Sequence, residues 1–236
     1  MQTYEAVEDA TYLRERAARR RTFQSRLELL ERHHDPALGR TLLDVGAYTG
    51  VFVEVARTAE WDAMGVEPSH WAIQVARDAR LPVIQGTLLS PELVGRQFDA
   101  ITMWDVIEHV SNPREELQRS YNLLAPGGLL LVHTMDIDSL TAKIMGSSWP
   151  WLMDMHLHYF SRQRLIWLLR DCGYEVVWHG TQGRFLSLGY LSSRLSAFND
   201  GFAQRLGTLL RRLKLETVLM PVNFGDLFTV LARRPR

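Results

Sequence analysis

The chain alternates between two hydrophobic periods. Short continuous apolar runs stand at 41–45, 81–85, 98–103 and 129–133, and a half-apolar one at 62–67. Runs of this length, bounded by turn residues, read as strands buried on both faces. Between them lie stretches with helical spacing, at 51–58, 71–80 and 113–124, the last opened by Asn112-Pro113. Strands alternating with helices predict a doubly wound, mostly parallel sheet. Residues 8–34 carry scattered leucines among arginines and glutamates, which predicts one or two helices outside the core. Within them Arg19-Arg20-Arg21 reads as a solvated face, the alternative being contact with an anionic ligand. Beyond residue 134 the pattern changes. Residues 139–160 are rich in Trp, Met and His without a clean period. A helix at 162–172 closed by Gly173, a strand at 174–178, an amphipathic stretch at about 190–219 and a strand at 226–232 follow.

Composition narrows the classes of function. Twenty-seven basic residues balance 27 acidic ones, which weighs against a dedicated nucleic-acid binder. The single cysteine, Cys172, leaves no internal disulfide and fits a reducing cytoplasm. No apolar run reaches the ~20 residues of a membrane span, and the polar start shows no apolar leader. The amphipathic stretch is expected to be a packed helical insertion; it also suits a dimer contact or an anionic membrane surface.

The chemistry starts at Leu42-Leu43-Asp44-Val45-Gly46-Ala47-Tyr48-Thr49-Gly50. An acid at a strand end followed by glycines lets the backbone turn sharply against a ligand. A second acid, Glu67, ends the next strand, where it suits the hydroxyls of a ribose. A nicotinamide dinucleotide uses related geometry, but its G-x-G-x-x-G spacing is missing. The carboxylate of Asp44 repels a pyrophosphate and suits the ammonium of an amino acid.

Taken with Gly65-Val66-Glu67-Pro68-Ser69, residues 98–110 and Leu124-Ala125-Pro126-Gly127-Gly128, this segment resembles class I S-adenosylmethionine (SAM)-dependent methyltransferases. The stretch 156–174 is similar to the ubiquinone-biosynthesis O-methyltransferases. The resemblance implies a Rossmann-like α/β fold, a seven-stranded sheet with an antiparallel last strand and helices on both faces. It implies a helical cap over 1–40, and a methyltransferase domain over 41–236 with an insertion at about 184–222. By it, Asp44, Gly46, Ala47, Tyr48, Thr49 and Gly50 meet SAM or its product S-adenosylhomocysteine (SAH), and Glu67 binds the ribose. Pro68, Ser69, Thr87 and Leu88 surround the adenine, and Trp104, Asp105 and Val106 lie beside the cofactor. Tyr48 departs from the family's glycine, and Thr87 from its usual Asp.

His109, past the fourth strand, reads as a general base, with His156 and His158 near the acceptor. The alternative reading has Glu108 and His109 holding the loop. Asp105, Glu108, His109 and His156 also resemble a divalent-metal set of some relatives, including small-RNA 2′-O-methyltransferases. The expected reaction is methyl transfer to the hydroxyl of a small-molecule acceptor, by a monomer or homodimer. An RNA 2′-O-methyltransferase and an inactive SAM-binding relative are the alternatives.

Overall fold

A computed structural model describes residues 10–197 and 199–236. The chain opens with α1 (Ala10–Arg14) and α2 (Arg16–His33). The part of the expected cap before residue 10 lies outside the described residues. Next come β1 (Thr41–Val45), α3 (Val51–Thr58), β2 (Asp62–Glu67), α4 (His70–Asp78), β3 (Val83–Gln85) and β4 (Phe98–Trp104). They are followed by α5 (Pro113–Leu123), β5 (Leu124–Met135), α6 (Leu140–Met145), α7 (Arg162–Asp171) and β6 (Glu175–Thr181). A hairpin of β7 (Arg184–Ser187) and β8 (Leu219–Val222) encloses α8 (Leu188–Arg194) and α9 (Asp200–Arg212), and β9 (Leu227–Arg233) follows.

The main sheet has seven strands in the order β3-β2-β1-β4-β5-β9-β6. β9 runs antiparallel to both of its neighbours, and the other pairs are parallel. Side chains alternate across it, as the period of two requires. Leu43, Val45, Ile101, Met103, Leu130 and Val132 face a core shared with α5 and α7. Leu42, Ala63, Ala100, Trp104, Leu129 and Leu131 face a second core shared with α2, α3 and α4. Each fully buried Leu or Ile contributes about 1.5–3 kcal/mol relative to exposure.

α2 does not lie outside the core. Ala18, Phe23, Leu27, Leu29 and Leu30 are buried, most of them against α3 and Trp104. The arginine run is likewise engaged rather than merely solvated. Arg16 and Arg20 both bind Glu54 of α3, at 2.7 and 2.9 Å. The hairpin is tied to the same helix: the Phe185 amide donates to Thr22 Oγ1 at 2.8 Å. Ser187 donates through Oγ and N to Glu15, at 2.7 and 3.1 Å. α1, α2 and β7 therefore form a roof beside the carboxyl ends of the parallel strands.

Candidate active site

The chain steps outward from β1 to β2 and β3, then crosses back to β4 on the other side of β1, and a crevice opens at the carboxyl end of β1. Asp44 stands there, paired in register with Gly65 and Thr102. It is buried, and Thr102 Oγ1 donates to it at 2.7 Å. Burial pushes its carboxyl up to about 8, with Glu67 adding to the rise and the Thr102 bond opposing it. Gly46 follows at φ 67°, where a Cβ would meet Val106 Cγ2 at 2.5 Å. Only glycine lets the turn take this shape so close to Val106. Ala47 and Thr49 are buried, and Gly50 caps α3 at φ 76°.

Glu67 is fully buried at the end of β2. Its Oε2 accepts the Tyr48 amide and its Oε1 the Ser69 amide, both at 2.9 Å. Burial raises its pKa, and these two bonds oppose the rise. The carboxylate thus joins the glycine turn to the start of α4, where Ser69 Oγ accepts the Ala72 amide. Pro68 lies between Glu67 and Ser69 in this bridge. Thr87 is exposed and Leu88 buried; Thr87 Oγ1 accepts the Leu89 amide at 3.2 Å.

Tyr48 sits at φ 49°, a left-handed conformation costing about 1–3 kcal/mol for a residue with a Cβ. Its ring does not stand alone: it meets Tyr12 of α1 at 4.5 Å and Trp71 of α4 at 5.6 Å. Tyr48 therefore covers the turn, as part of an aromatic row. The Tyr12 phenol is pushed up by burial, lowered by Arg19 and Thr49, and raised by Asp44 and Asp105. It sits above the turn.

At the end of β4, Asp105 takes φ 55° and its amide donates to His133 O. Partial desolvation opposes its ionisation, but His133, Arg26, Arg184 and Arg19 outweigh it and hold the carboxyl below its ordinary value. Trp104 points away from this edge into the core, its ring 5.0 Å from Phe52 and 5.8 Å from Phe23. Arg26 of α2 lies 4.9 Å over that ring and is 4% exposed. Its Nη2 donates to His133 Nε2 at 2.8 Å, so His133 carries its proton on Nδ1, facing Thr229 Oγ1 at 2.8 Å. Burial and Arg26 hold His133 neutral, with a pKa of about 3. Sequence reasoning missed both residues. Arg26 falls on the apolar stripe of Phe23, Leu27 and Leu30, and His133 inside an apolar strand. A polar residue in such a place is the signal that would have found them.

Glu108, His109 and His156 converge, each with a ligand-type atom within 4.8 Å of the others. His109 Nδ1 donates to Met155 O at 3.0 Å and His156 Nδ1 to Trp151 O at 2.7 Å. A carbonyl only accepts, so both rings carry their lone pair on Nε2. Burial lowers both pKa values. Glu108 is buried; Thr134 donates to Oε2, and Oε1 has no hydrogen-bond partner. Burial, with Asp105, pushes its carboxyl to about 8. Asp105 is outside this convergent group, and so is His158. The His158 ring faces Phe160, and its amide donates to Glu108 O. Trp149 and Trp151 both donate to Asp226 Oδ2 at 3.0 Å, which pins the aromatic loop to β9.

Comparison with known proteins agrees with this fold. Residues 12–179 match the family described as methyltransferase domain. The ubiquinone biosynthesis O-methyltransferase of Azorhizobium caulinodans is 28% identical over 137 residues, 52% of this chain and 54% of that protein. The protein of the same name from Cereibacter sphaeroides is 30% identical over 122 residues, 48% of this chain and 49% of that protein. The chain thus spans about half the length of these curated relatives. Among solved structures, a SAM-dependent methyltransferase from Thermotoga maritima superposes with a TM-score of 0.61 at 20% identity, covering 95% of this chain and 93% of that one. Magnesium protoporphyrin IX methyltransferase from Synechocystis, with bound SAH, gives 0.61 at 13% identity, covering 97% and 89%. The chain belongs to the methyltransferase-domain family, and its fold is that of SAM-dependent methyltransferases of known structure.

Proposed function

We propose that this chain transfers the methyl group of SAM to a hydroxyl of a small-molecule acceptor. The observation that carries it is the placing of two imidazoles, His109 and His156, just beyond the strand whose neighbour ends in the Asp44–Gly46 turn. The similarity to ubiquinone biosynthesis O-methyltransferases supports oxygen as the methylated atom. Both Glu67 oxygens are oriented by amides and keep lone pairs for the ribose hydroxyls. Asp44 suits the ammonium of the methionine end, and the buried guanidinium of Arg26 suits its carboxylate. SAM supplies the electrophilic methyl group. His109 or His156 would accept the hydroxyl proton at Nε2 as the methyl carbon exchanges its bond to sulfur for one to the acceptor oxygen, leaving SAH. The chief contribution of the fold is alignment of the two reactants.

Calorimetry with SAH, followed by methyl transfer to catechols and phenols, tests the reading. SAH is expected to bind at micromolar concentration, and His109→Gln to lose turnover while keeping SAH affinity. Absence of binding at millimolar SAH would sink the cofactor site. Binding without turnover on any acceptor would favour an inactive relative.

A second reading rests on the orphaned, buried Glu108 Oε1 beside two Nε2 lone pairs. This nitrogen and oxygen set fits a divalent cation, which would act as a Lewis acid on the acceptor oxygen. Glu108, His109 and His156 would hold it, without Asp105. Activity lost in chelator and restored by Mg²⁺ or Mn²⁺ supports this, and unchanged activity in chelator ends it.

A further inference from the structure

Arg19 and Arg184 are not used by the chemistry above. Arg19 lies 3.6 Å over the Tyr12 ring, and its buried Nε has no hydrogen-bond partner. Arg184 lies 4.8 Å over the Trp151 ring and is half-buried. Neither guanidinium has a carboxylate within salt-bridge distance or a side-chain hydrogen bond among the described residues. Each is instead held flat by an aromatic ring, which fixes its planar fork of donors at little further entropic cost.

The two are also brought together by construction. The residue after Arg184, Phe185, donates its amide to Thr22, one helical turn beyond Arg19. Burial lowers the pKa of Arg184, Asp105 opposes the fall and Arg19 adds to it, and both guanidiniums act on Asp105. Two carboxylates face them. Asp105 has a 47% exposed side chain, and Asp226 is already occupied by two indole N–H groups. Positive charge with unused donors is therefore focused above Asp105, with Arg19 over the Tyr12 ring that covers the glycine turn.

We infer that Arg19 and Arg184 form an oxyanion-binding subsite for the acceptor, selecting a molecule that carries a carboxylate or phosphate besides its methylated group. The inference rests on the methyltransferase reading for the word acceptor; the anion site itself is a property of α2 and β7.

The test is calorimetry on SAH-loaded protein at low salt, with catechol, 3,4-dihydroxybenzoate and phenyl phosphate as probes. One anionic probe is expected to bind about tenfold tighter than catechol or more, with the advantage shrinking as salt is added. Preference for dihydroxybenzoate identifies a carboxylate site, and preference for phenyl phosphate a phosphate site. Arg184→Met and Arg19→Met keep the aliphatic stems and are each expected to abolish the preference. Arg184→Met should hold its SAH affinity within about twofold, which shows that the fold survives. Catechol binding as tightly as both anions, or a preference that survives both substitutions, would overturn the inference. If SAH itself fails to bind, the cofactor reading falls instead. The same titrations on ligand-free protein then decide the anion site alone.

Discussion

Asp44→Asn separates the cost of the buried acid from its use. In the ligand-free protein the Asp44 carboxyl titrates near 8, against 3.8 for an ordinary aspartate. The folded value is raised, so the stability attached to the protonated group is complete below pH 4 and drains away as pH climbs toward 8. Between those values the wild-type chain loses about 1.4 kcal/mol per pH unit relative to a neutral amide at the same place. From pH 5 to pH 7 the balance should shift by about 3 kcal/mol toward the amide variant, or roughly 6–12 °C in Tm for a chain of this size. The amide still accepts the Thr102 bond, while its unpaired N–H₂ costs about 1–3 kcal/mol at every pH. The width of the gap is thus less informative than its slope. Calorimetric melts of both proteins at pH 5, 6 and 7, without ligand, measure it. A gap that stays flat with pH would refute the buried-acid argument. The same group predicts proton release on SAM binding. At pH 7 about nine-tenths of Asp44 is protonated, so pairing with an ammonium should release nearly one proton, read from titrations in buffers of different ionisation enthalpy. Asp44→Asn should release none from this site.

Three further outcomes are expected. Tyr48→Gly removes about 1–3 kcal/mol of left-handed strain but also the ring between Tyr12 and Trp71; SAH dissociation measured by stopped flow should quicken although the turn relaxes. Gly65→Ala places a Cβ 2.4 Å from that of Ala47, so urea melts should show a loss of about 1–3 kcal/mol or more. Because burial lowers the pKa of His109 and His156, the fall in methyl transfer on acidification should be centred below about pH 6.5. A fall centred above pH 7 would rule out these imidazoles as the base.

The parallel strands were legible because each is buried on both faces, as at Leu42-Leu43 and Leu129–Val132. The acids Asp44 and Glu67 were legible because their positions follow from strand ends and turn glycines. The β7–β8 pairing was not. Its two short strands, half-exposed and 31 residues apart, show no sustained alternation. Arg26 was hidden for a different reason. A guanidinium in the core is improbable unless something distant takes its protons, and His133 lies 107 residues away. The orientation of Trp104 was equally out of reach, because the ring follows Phe23 and Phe52, which only tertiary packing brings together.

The position of β9 between β5 and β6 bears on how the chain is made. β5 and β6 share no hydrogen bonds with each other; β9 joins them through both of its edges. As residues leave the ribosome in order, the long apolar edge of β5 waits unpaired while some ninety more residues are synthesised. Such an edge invites pairing with other chains, and closing it late favours slow, non-local folding. Expression at lower temperature or with holdase chaperones should therefore raise the soluble yield. Circular permutants that place residues 226–236 ahead of α1 would present β9 before β5 is complete.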